Sequence, residues 1–178
     1  LTGQFRKAFA LIVFVLFSLA MNAAINITVI PTNEICTNKG VLTWNTTGIE
    51  PGATVVYSIY KAPNYTTAIS TTSPPTNSLT GLSAGNYRII ATHTIGGITT
   101  TDQADTSILD LRIPLNFTAT TVNPICANDG TITVNLLSGR APVSYALSGP
   151  VNFPPQSSNV FTGLSGGNYN VIVTDSCG

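Results

Sequence analysis

The sequence predicts an all-β fold, arranged as two tandem β-sandwich modules. First, only 8% of the 178 residues are charged. Ser, Thr, Asn, Gly and Pro fill the polar positions instead, which is typical of strands and turns. Second, apolar residues alternate with polar ones in short segments between turns. Third, one phrase occurs twice, as TGLSAGNY at Thr80–Tyr87 and TGLSGGNY at Thr162–Tyr169, and such a repeat predicts two copies of one structural unit.

Residues 1–23 are predicted to form a signal-peptide helix that precedes both modules. Arg6 and Lys7 come before the apolar stretch Ala8–Ala20, and small residues follow. This order is typical of a cleaved secretory leader. An uncleaved membrane anchor is the alternative, but the stretch is shorter than the ~20 apolar residues that a spanning helix needs. We therefore expect a secreted or cell-surface protein that contacts the membrane only through its signal peptide before cleavage.

Each copy of the repeat is predicted to contain about six or seven short strands, a number typical of an immunoglobulin-like β-sandwich. In the second copy, Thr131–Leu136 and Tyr169–Asp175 alternate apolar and polar residues. In the first copy, Ile98–Thr101 is the predicted last strand. No segment after the leader has helical periodicity. We place the first module at residues 24–112 and the second at 113–178, where it is truncated because a counterpart of the last strand is missing.

The repeated phrase is predicted to be a structural element, with a ligand site as the alternative. Its shared spacing is Leu-x-x-Gly-x-Tyr, found as Leu82, Gly85 and Tyr87 and again as Leu164, Gly167 and Tyr169. In sandwiches of this type, a tyrosine just after the corner fills the bottom of the core, and its hydroxyl group bonds to upstream backbone. The glycine permits a tight turn. We therefore interpret both copies as tyrosine corners.

A longer pattern surrounds the phrase in the second copy. The pattern reads Cys-x-x-x-Gly, a strand, Gly-x-x-Pro-x-x-Tyr, then Leu-x-x-Gly-x-Tyr-x-Val-x-Val-x-Asp and a final Cys. Its named positions are Cys126, Gly130, Gly139, Pro142, Tyr145, Leu164, Gly167, Tyr169, Val171, Val173, Asp175 and Cys177. The pattern resembles the SprB-type repeat of Bacteroidetes surface proteins, which include gliding-motility adhesins exported by the type 9 secretion system. The resemblance covers Phe117–Gly178 and, more loosely, Ile27–Pro114. It implies an adhesin-type chain whose modules contact neighbouring repeats of the same chain.

The two copies differ in their cysteines. The first copy has Ile95 where the second has Cys177. Cys126 and Cys177 begin and nearly end the second copy, and an exported chain can oxidise its thiols. We predict a disulfide between these two residues, with two reduced, buried thiols as the alternative. Cys36 is then predicted to be a buried free thiol.

The sequence shows no catalytic or metal-binding set. His93 is the only histidine, and we interpret it as an exposed residue at a loop edge. No group of acids forms a calcium loop, and a calcium site between the modules that includes Asp102 and Asp105 is the remaining alternative. We therefore expect no enzymatic activity, no cofactor and no metal site.

Charge and aromatic residues limit the partners. Removing Arg6 and Lys7 with the leader leaves five basic against seven acidic side chains, so nucleic acid is not an expected partner. The favoured function is a non-enzymatic adhesive or spacer segment of a larger adhesin, with a surface glycan or protein of unknown identity as its ligand. The alternative is an accessory carbohydrate-binding β-sandwich of an exported hydrolase. In that case Trp44, Tyr60 and Tyr65 are the candidates for stacking on sugar, and a Trp44 in the core is the competing interpretation.

Overall fold

The computed structural model of the chain describes residues 24–178, so the predicted signal peptide lies outside the described residues. Thirteen strands and no helix occur in the described residues, which confirms the all-β prediction. No helix in this part of the chain is long and apolar enough to cross a membrane. Every strand pairs antiparallel with its neighbours.

The first module is formed by seven strands in two sheets. These strands are β1 (Asn26–Thr32), β2 (Gly40–Thr47), β3 (Thr54–Lys61), β4 (Ser70–Thr72), β5 (Ser78–Leu82), β6 (Gly85–Ile95) and β7 (Ile98–Ile108). One sheet has the order β1-β2-β5 and the other the order β4-β3-β6-β7. Because alternate residues of a strand point to opposite faces, each sheet contributes one apolar face to a shared core.

The core of the first module lies between these sheets. Leu42 and Trp44 from β2 meet residues of the opposite sheet, and the Trp44 ring lies 5.4 Å from that of Tyr57. The buried side chains are Ile25, Ile27, Leu42, Trp44, Val55, Tyr57, Ile59, Leu82, Tyr87, Ile89, Ala91 and Ile108. The inward positions of β6 follow the period-two pattern of the sequence, from Tyr87 to Ala91.

The second module repeats this arrangement with six strands. These are β8 (Asn116–Val122), β9 (Gly130–Ser138), β10 (Ser144–Ser148), β11 (Phe153–Gln156), β12 (Val160–Leu164) and β13 (Asn170–Thr174). The sheets have the orders β12-β9-β8 and β11-β10-β13. A separate core contains Ile132, Val134, Tyr145, Leu147, Phe161 and Leu164. Since each module has its own core, the repeat in the sequence corresponds to a repeat of packed sheets.

The modules differ at one sheet edge. In the first module β7 pairs with β6 along its whole length, from Gly85 opposite Ile108 to Ile95 opposite Ile98. The counterpart of β6 in the second module is β13, which has a neighbour only on its β10 side within the described residues. Tyr169, Val171 and Val173 of the second module are consequently only half-buried, whereas Tyr87, Ile89 and Ala91 of the first are fully buried.

The disulfide prediction was wrong. Cys177 bonds to Cys36 of the first module, 141 residues away along the chain, with a Cα–Cα distance of 5.3 Å. Cys126 is exposed and has a free thiol. The reason is the direction of β13, which begins beside the β8–β9 loop that contains Cys126 and runs away from it. Cys177 therefore lies at the opposite end of the second module from Cys126, next to the first module.

Candidate functional site

The repeated phrase lies in the scaffold of both modules. The Tyr87 hydroxyl group donates a hydrogen bond to the Ser83 carbonyl at 2.6 Å, and that of Tyr169 donates to the Ser165 carbonyl at 3.1 Å. Leu82 and Leu164 of the phrase are buried in the two cores. Both tyrosines thus make the hydrogen bond to upstream backbone that a tyrosine corner requires.

The glycines of the phrase have little space around them. Gly85 has a φ of 147° and Gly167 a φ of 151°. Residues other than glycine rarely adopt these backbone angles. A Cβ atom on Gly167 would lie 2.6 Å from Cγ of Pro150, and one on Gly85 would lie 2.9 Å from Cε of Lys61. The conformation favours glycine at both corners, and the close approach of the Pro150 ring favours it further at Gly167.

The sugar-stacking prediction was wrong for Trp44. This residue is only 2% exposed and packs in the core of the first module, so its ring offers no face to a ligand. It points inward because it occupies the same face of β2 as Leu42. Its indole Nε1 has no hydrogen-bond partner, which leaves the ring held by packing alone.

Tyr60 and Tyr65 lie outside the core, and their role in sugar binding stays a prediction. Tyr60 is on the face of β3 opposite the core residues and is paired with Arg88 of β6. The Arg88 guanidinium group lies 4.8 Å from the centre of the Tyr65 ring and bonds to the Asp105 carboxylate at 2.7 Å. This hydrogen bond holds the pKa of Asp105 below its ordinary value. The outer face therefore carries an aromatic ring next to an ion pair.

His93 is buried, so its interpretation as an exposed loop residue was wrong. It is 2% exposed, and its Nε2 accepts a hydrogen bond from the Glu50 amide at 3.3 Å. Its counterpart Asp175 accepts one from the Arg140 amide at 3.0 Å. In both modules this position holds the loop between the second and third strands. The amides of Arg140 and Cys177 keep the pKa of Asp175 below its ordinary value.

The two acids considered for calcium are bound within the first module. Asp102 accepts a hydrogen bond from the Ile27 amide at 2.9 Å, and Asp105 pairs with Arg88. In residues 24–178 no group of three or more His, Cys, Asp or Glu side chains is placed to hold a metal ion.

A further cluster of specific contacts lies at the junction between the modules. We define the junction as the linker Leu109–Leu115, the β1–β2 loop of the first module and the segment after β13. Glu34 pairs with the linker like a parallel strand: its amide donates to the Leu109 carbonyl, and its carbonyl accepts from the Leu111 amide, both at 2.9 Å. Asn33 accepts a third bond, from the Leu109 amide at 3.0 Å. The linker is therefore fixed to the first module.

The Glu34 side chain fixes the loop that receives the linker. Although it is charged, Glu34 is only 2% exposed. Its Oε1 accepts a hydrogen bond from the Asn38 amide at 2.7 Å, and its Oε2 accepts one from the Ala84 amide at 2.6 Å. These two bonds, first that of Ala84, hold the pKa of Glu34 below its ordinary value. One carboxylate thus connects the β1–β2 loop to the tyrosine corner.

The second module fixes the other side of the linker. Arg140 donates to the Leu111 carbonyl at 3.0 Å, and Ser138 donates to the Pro114 carbonyl at 2.6 Å. Within the linker, Arg112 forms a bidentate pair with Asp110, which lowers the pKa of Asp110 to about 2. Together with the Cys36–Cys177 bond, these contacts hold one module in a defined position on the other.

The contacts that form the junction were not predicted from the sequence. Two differences between the copies marked the junction: Glu34 where the second copy has Pro124, and Ile95 where it has Cys177. Cys36 is the only cysteine of its own copy, so any disulfide within the chain that includes it must reach the other copy. Glu34 is buried because of a long-range contact, which no local pattern reports.

The comparison with known families agrees with the fold. Residues 118–152 match the family model described as SprB repeat. No curated protein shows significant sequence similarity to the chain. The predicted resemblance to the SprB-type repeat is confirmed for this stretch, which extends from β8 past β10. SprB repeats are non-catalytic repeats of cell-surface, adhesin-type proteins, and residues 118–152 are similar to them.

Proposed function

We propose that this chain is an extracellular, non-enzymatic spacer of a larger surface adhesin, exported by the type 9 secretion system of a Bacteroidetes bacterium. Its task is to hold the two modules in one fixed arrangement, so that the parts of the adhesin on either side are kept apart. The observation that carries the proposal is the junction, where the Cys36–Cys177 bond and backbone pairing to Glu34 act together. A flexible connection would need neither.

Two further observations support an exported spacer. A disulfide between distant parts of the chain is typical of an oxidising compartment outside the cytosol. The SprB repeat match at residues 118–152 associates the second module with cell-surface proteins.

The test is whether the two modules tumble as one body. Residual dipolar couplings measured for the backbone amides of both modules in the oxidised chain should fit a single alignment tensor. The matched control is the Cys36→Ser/Cys177→Ser variant, in which the linker contacts alone must maintain the arrangement. Two independent tensors in the oxidised chain would contradict the spacer proposal.

A second candidate function is carbohydrate binding on the outer face of the first module. It is favoured by Tyr65, whose exposed ring lies beside the Arg88–Asp105 ion pair, since aromatic faces and charged hydrogen-bonding groups together recognise sugars. A glycan array should then show binding that Tyr65→Ala removes and that Trp44→Phe leaves intact. Binding that is absent, or unchanged by Tyr65→Ala, would exclude this surface as the sugar site.

A further inference from the structure

The loop that receives the linker in the first module has an unoccupied counterpart in the second. The β1–β2 loop contains Asn33, Glu34 and Cys36, and the β8–β9 loop contains Asn123, Pro124 and Cys126 in the same order. In the first module this loop pairs with the linker and bonds to a cysteine of the next module. In the second module Cys126 is exposed and free.

A groove of about 310 Å³ lies against Asn123 and Pro124 of the β8–β9 loop, the loop that also contains Cys126. It is lined by Gly130, Leu164 and Tyr169 among others. At the equivalent place in the first module, a Cβ atom on Gly40 would lie 2.9 Å from Cγ2 of Ile108, the buried last residue of β7. The groove is therefore the unfilled counterpart of the place that Ile108 occupies.

Apolar side chains around the groove are exposed to solvent, as expected for a contact surface without its partner. Ile125 is 94% exposed, whereas its counterpart Ile35, beside the docked linker, is 42% exposed. Val122 also has an exposed side chain. The outer edge of β13 is unpaired in the described residues, whereas the same edge of β6 is covered by β7. Unpaired strand edges and apolar patches are surfaces that take up further strands.

Hydrogen bonds fix the conformation of the β8–β9 loop. The Asp129 carboxylate accepts hydrogen bonds from the amides of Ile125 and Cys126, at 2.9 and 3.0 Å. Asn123 keeps the side-chain acceptor that Asn33 uses, and Pro124 keeps the carbonyl that Glu34 uses. Pro124 lacks the amide of Glu34, so one of the three linker bonds is lost. Two of the three linker bonds and the thiol are thus available.

We propose that this end of the second module is the docking site for a further copy of the unit Ile98–Gly178, closed by a disulfide from Cys126 to the Cys177 of that copy. The β7 of the incoming copy pairs with β13, its Ile108 fills the groove, and its linker crosses Pro124. In this arrangement the residue at the position of Cys177 bonds to the module that precedes it, as Cys177 bonds to Cys36. The inference extends the proposed function to a chain of covalently connected junctions.

The bond requires an oxidant. Two thiols, one from Cys126 and one from the incoming Cys177, together lose two electrons and two protons when the S–S bond forms. A small disulfide such as oxidised glutathione accepts them and is reduced to two thiols. Because Cys126 is exposed, such a reagent can reach it.

The test appends a copy of Gly97–Gly178 directly after Gly178 of the full chain. This joint is continuous with the repeat, because Gly178 corresponds to Gly96 of the β6–β7 turn. Both chains are oxidised with glutathione, free thiols are alkylated, and disulfides are mapped by mass spectrometry. We expect Cys126 to be alkylated in the parent chain but bonded to the appended Cys177 in the extended one. Amide exchange in β13 should slow at least tenfold.

Two control extensions separate the covalent bond from the docking. One carries Cys177→Ser in the appended copy, so Cys126 should again be alkylated while β13 remains protected. The other carries Ile108→Asp in the appended copy, which should reduce the fraction of the new disulfide several-fold. The inference is overturned if Cys126 stays alkylated in the extended chain, if it bonds to the appended Cys126, or if β13 exchanges as fast as in the parent. Because dipolar couplings test only the first junction, either idea can fail while the other holds.

Discussion

Removing the bond between the modules should strongly destabilise the first module. The Cys36→Ser/Cys177→Ser variant opens a cross-link between residues that are 141 positions apart. In the chain-entropy model, closing a loop of this length restricts the unfolded chain by about 5 kcal/mol. The value depends only logarithmically on loop length, so it falls only to about 4.5 kcal/mol if the second module stays folded while the first unfolds.

Trp44 makes the measurement specific for one module. It is the only tryptophan of the chain and is buried in the core of the first module. Its fluorescence during urea unfolding therefore reports on that module. With a urea dependence of about 2 kcal/mol per molar, the double variant should unfold at a urea concentration about 2 M lower than the wild type.

The third cysteine supplies the matched control. Cys126 is exposed and unpaired, so Cys126→Ser should change the free energy of unfolding by less than about 0.5 kcal/mol. Wild type treated with reductant should behave like the double variant. The reasoning is refuted if the double variant unfolds at the same urea concentration as the wild type, or if Cys126→Ser destabilises the first module as much.

Three other predictions concern single side chains of the scaffold. Tyr87→Phe should lower the free energy of unfolding by about 1 kcal/mol and Tyr169→Phe by less, since Tyr87 is more buried and has the shorter hydrogen bond; equal losses in urea unfolding would contradict this order. The pKa of Glu34 is below its ordinary value of 4.5, so its stabilising effect is complete above pH 4.5 and is lost as the pH falls through the lower folded value. Glu34→Gln should therefore reduce the dependence of the melting temperature on pH below about pH 4.5. If the variant and the wild type show the same pH dependence, the stabilising role of the Glu34 carboxylate is contradicted. Gly40→Ala places a Cβ atom 2.6 Å from the Leu82 carbonyl and should cost about 1–3 kcal/mol, whereas Gly166→Ala, with no neighbour nearer than 4.0 Å, should be tolerated in the same thermal melts.

The features that the sequence predicted correctly are local ones. The alternation of apolar and polar residues in β6 and β13 determines which side chains face the core. The spacing from Leu82 to Tyr87 determines the tyrosine corner between β5 and β6. Both depend on neighbours within a few positions, because strand geometry has period two. The same pattern contained the position of His93, which has the parity of Tyr87, Ile89 and Ala91 and is buried with them.

The errors at the junction concern contacts between distant parts of the chain. The pairing of Cys177 depends on which end of the second module meets the first, and this follows from the path of the linker. The spacing of Cys126 and Cys177 suggested a bond within one module, but β13 separates the two residues. Glu34 is buried because the linker and the corner loop both return to it. Such contacts form only when both modules and the linker are assembled, so no single segment encodes them.

The position of the disulfide has a mechanical consequence. If the chain is pulled at Ala24 and Gly178, tension passes from Cys36 through the two sulfur atoms to Cys177 and bypasses everything between them. Of the strands, only β1 lies between Ala24 and Cys36 and therefore carries the force. The bypassed 141-residue separation corresponds to a contour length of roughly 490 Å when fully extended, and this length cannot be released until a covalent bond breaks. A cell that pulls on such a chain would stretch it by little more than the segment before Cys36.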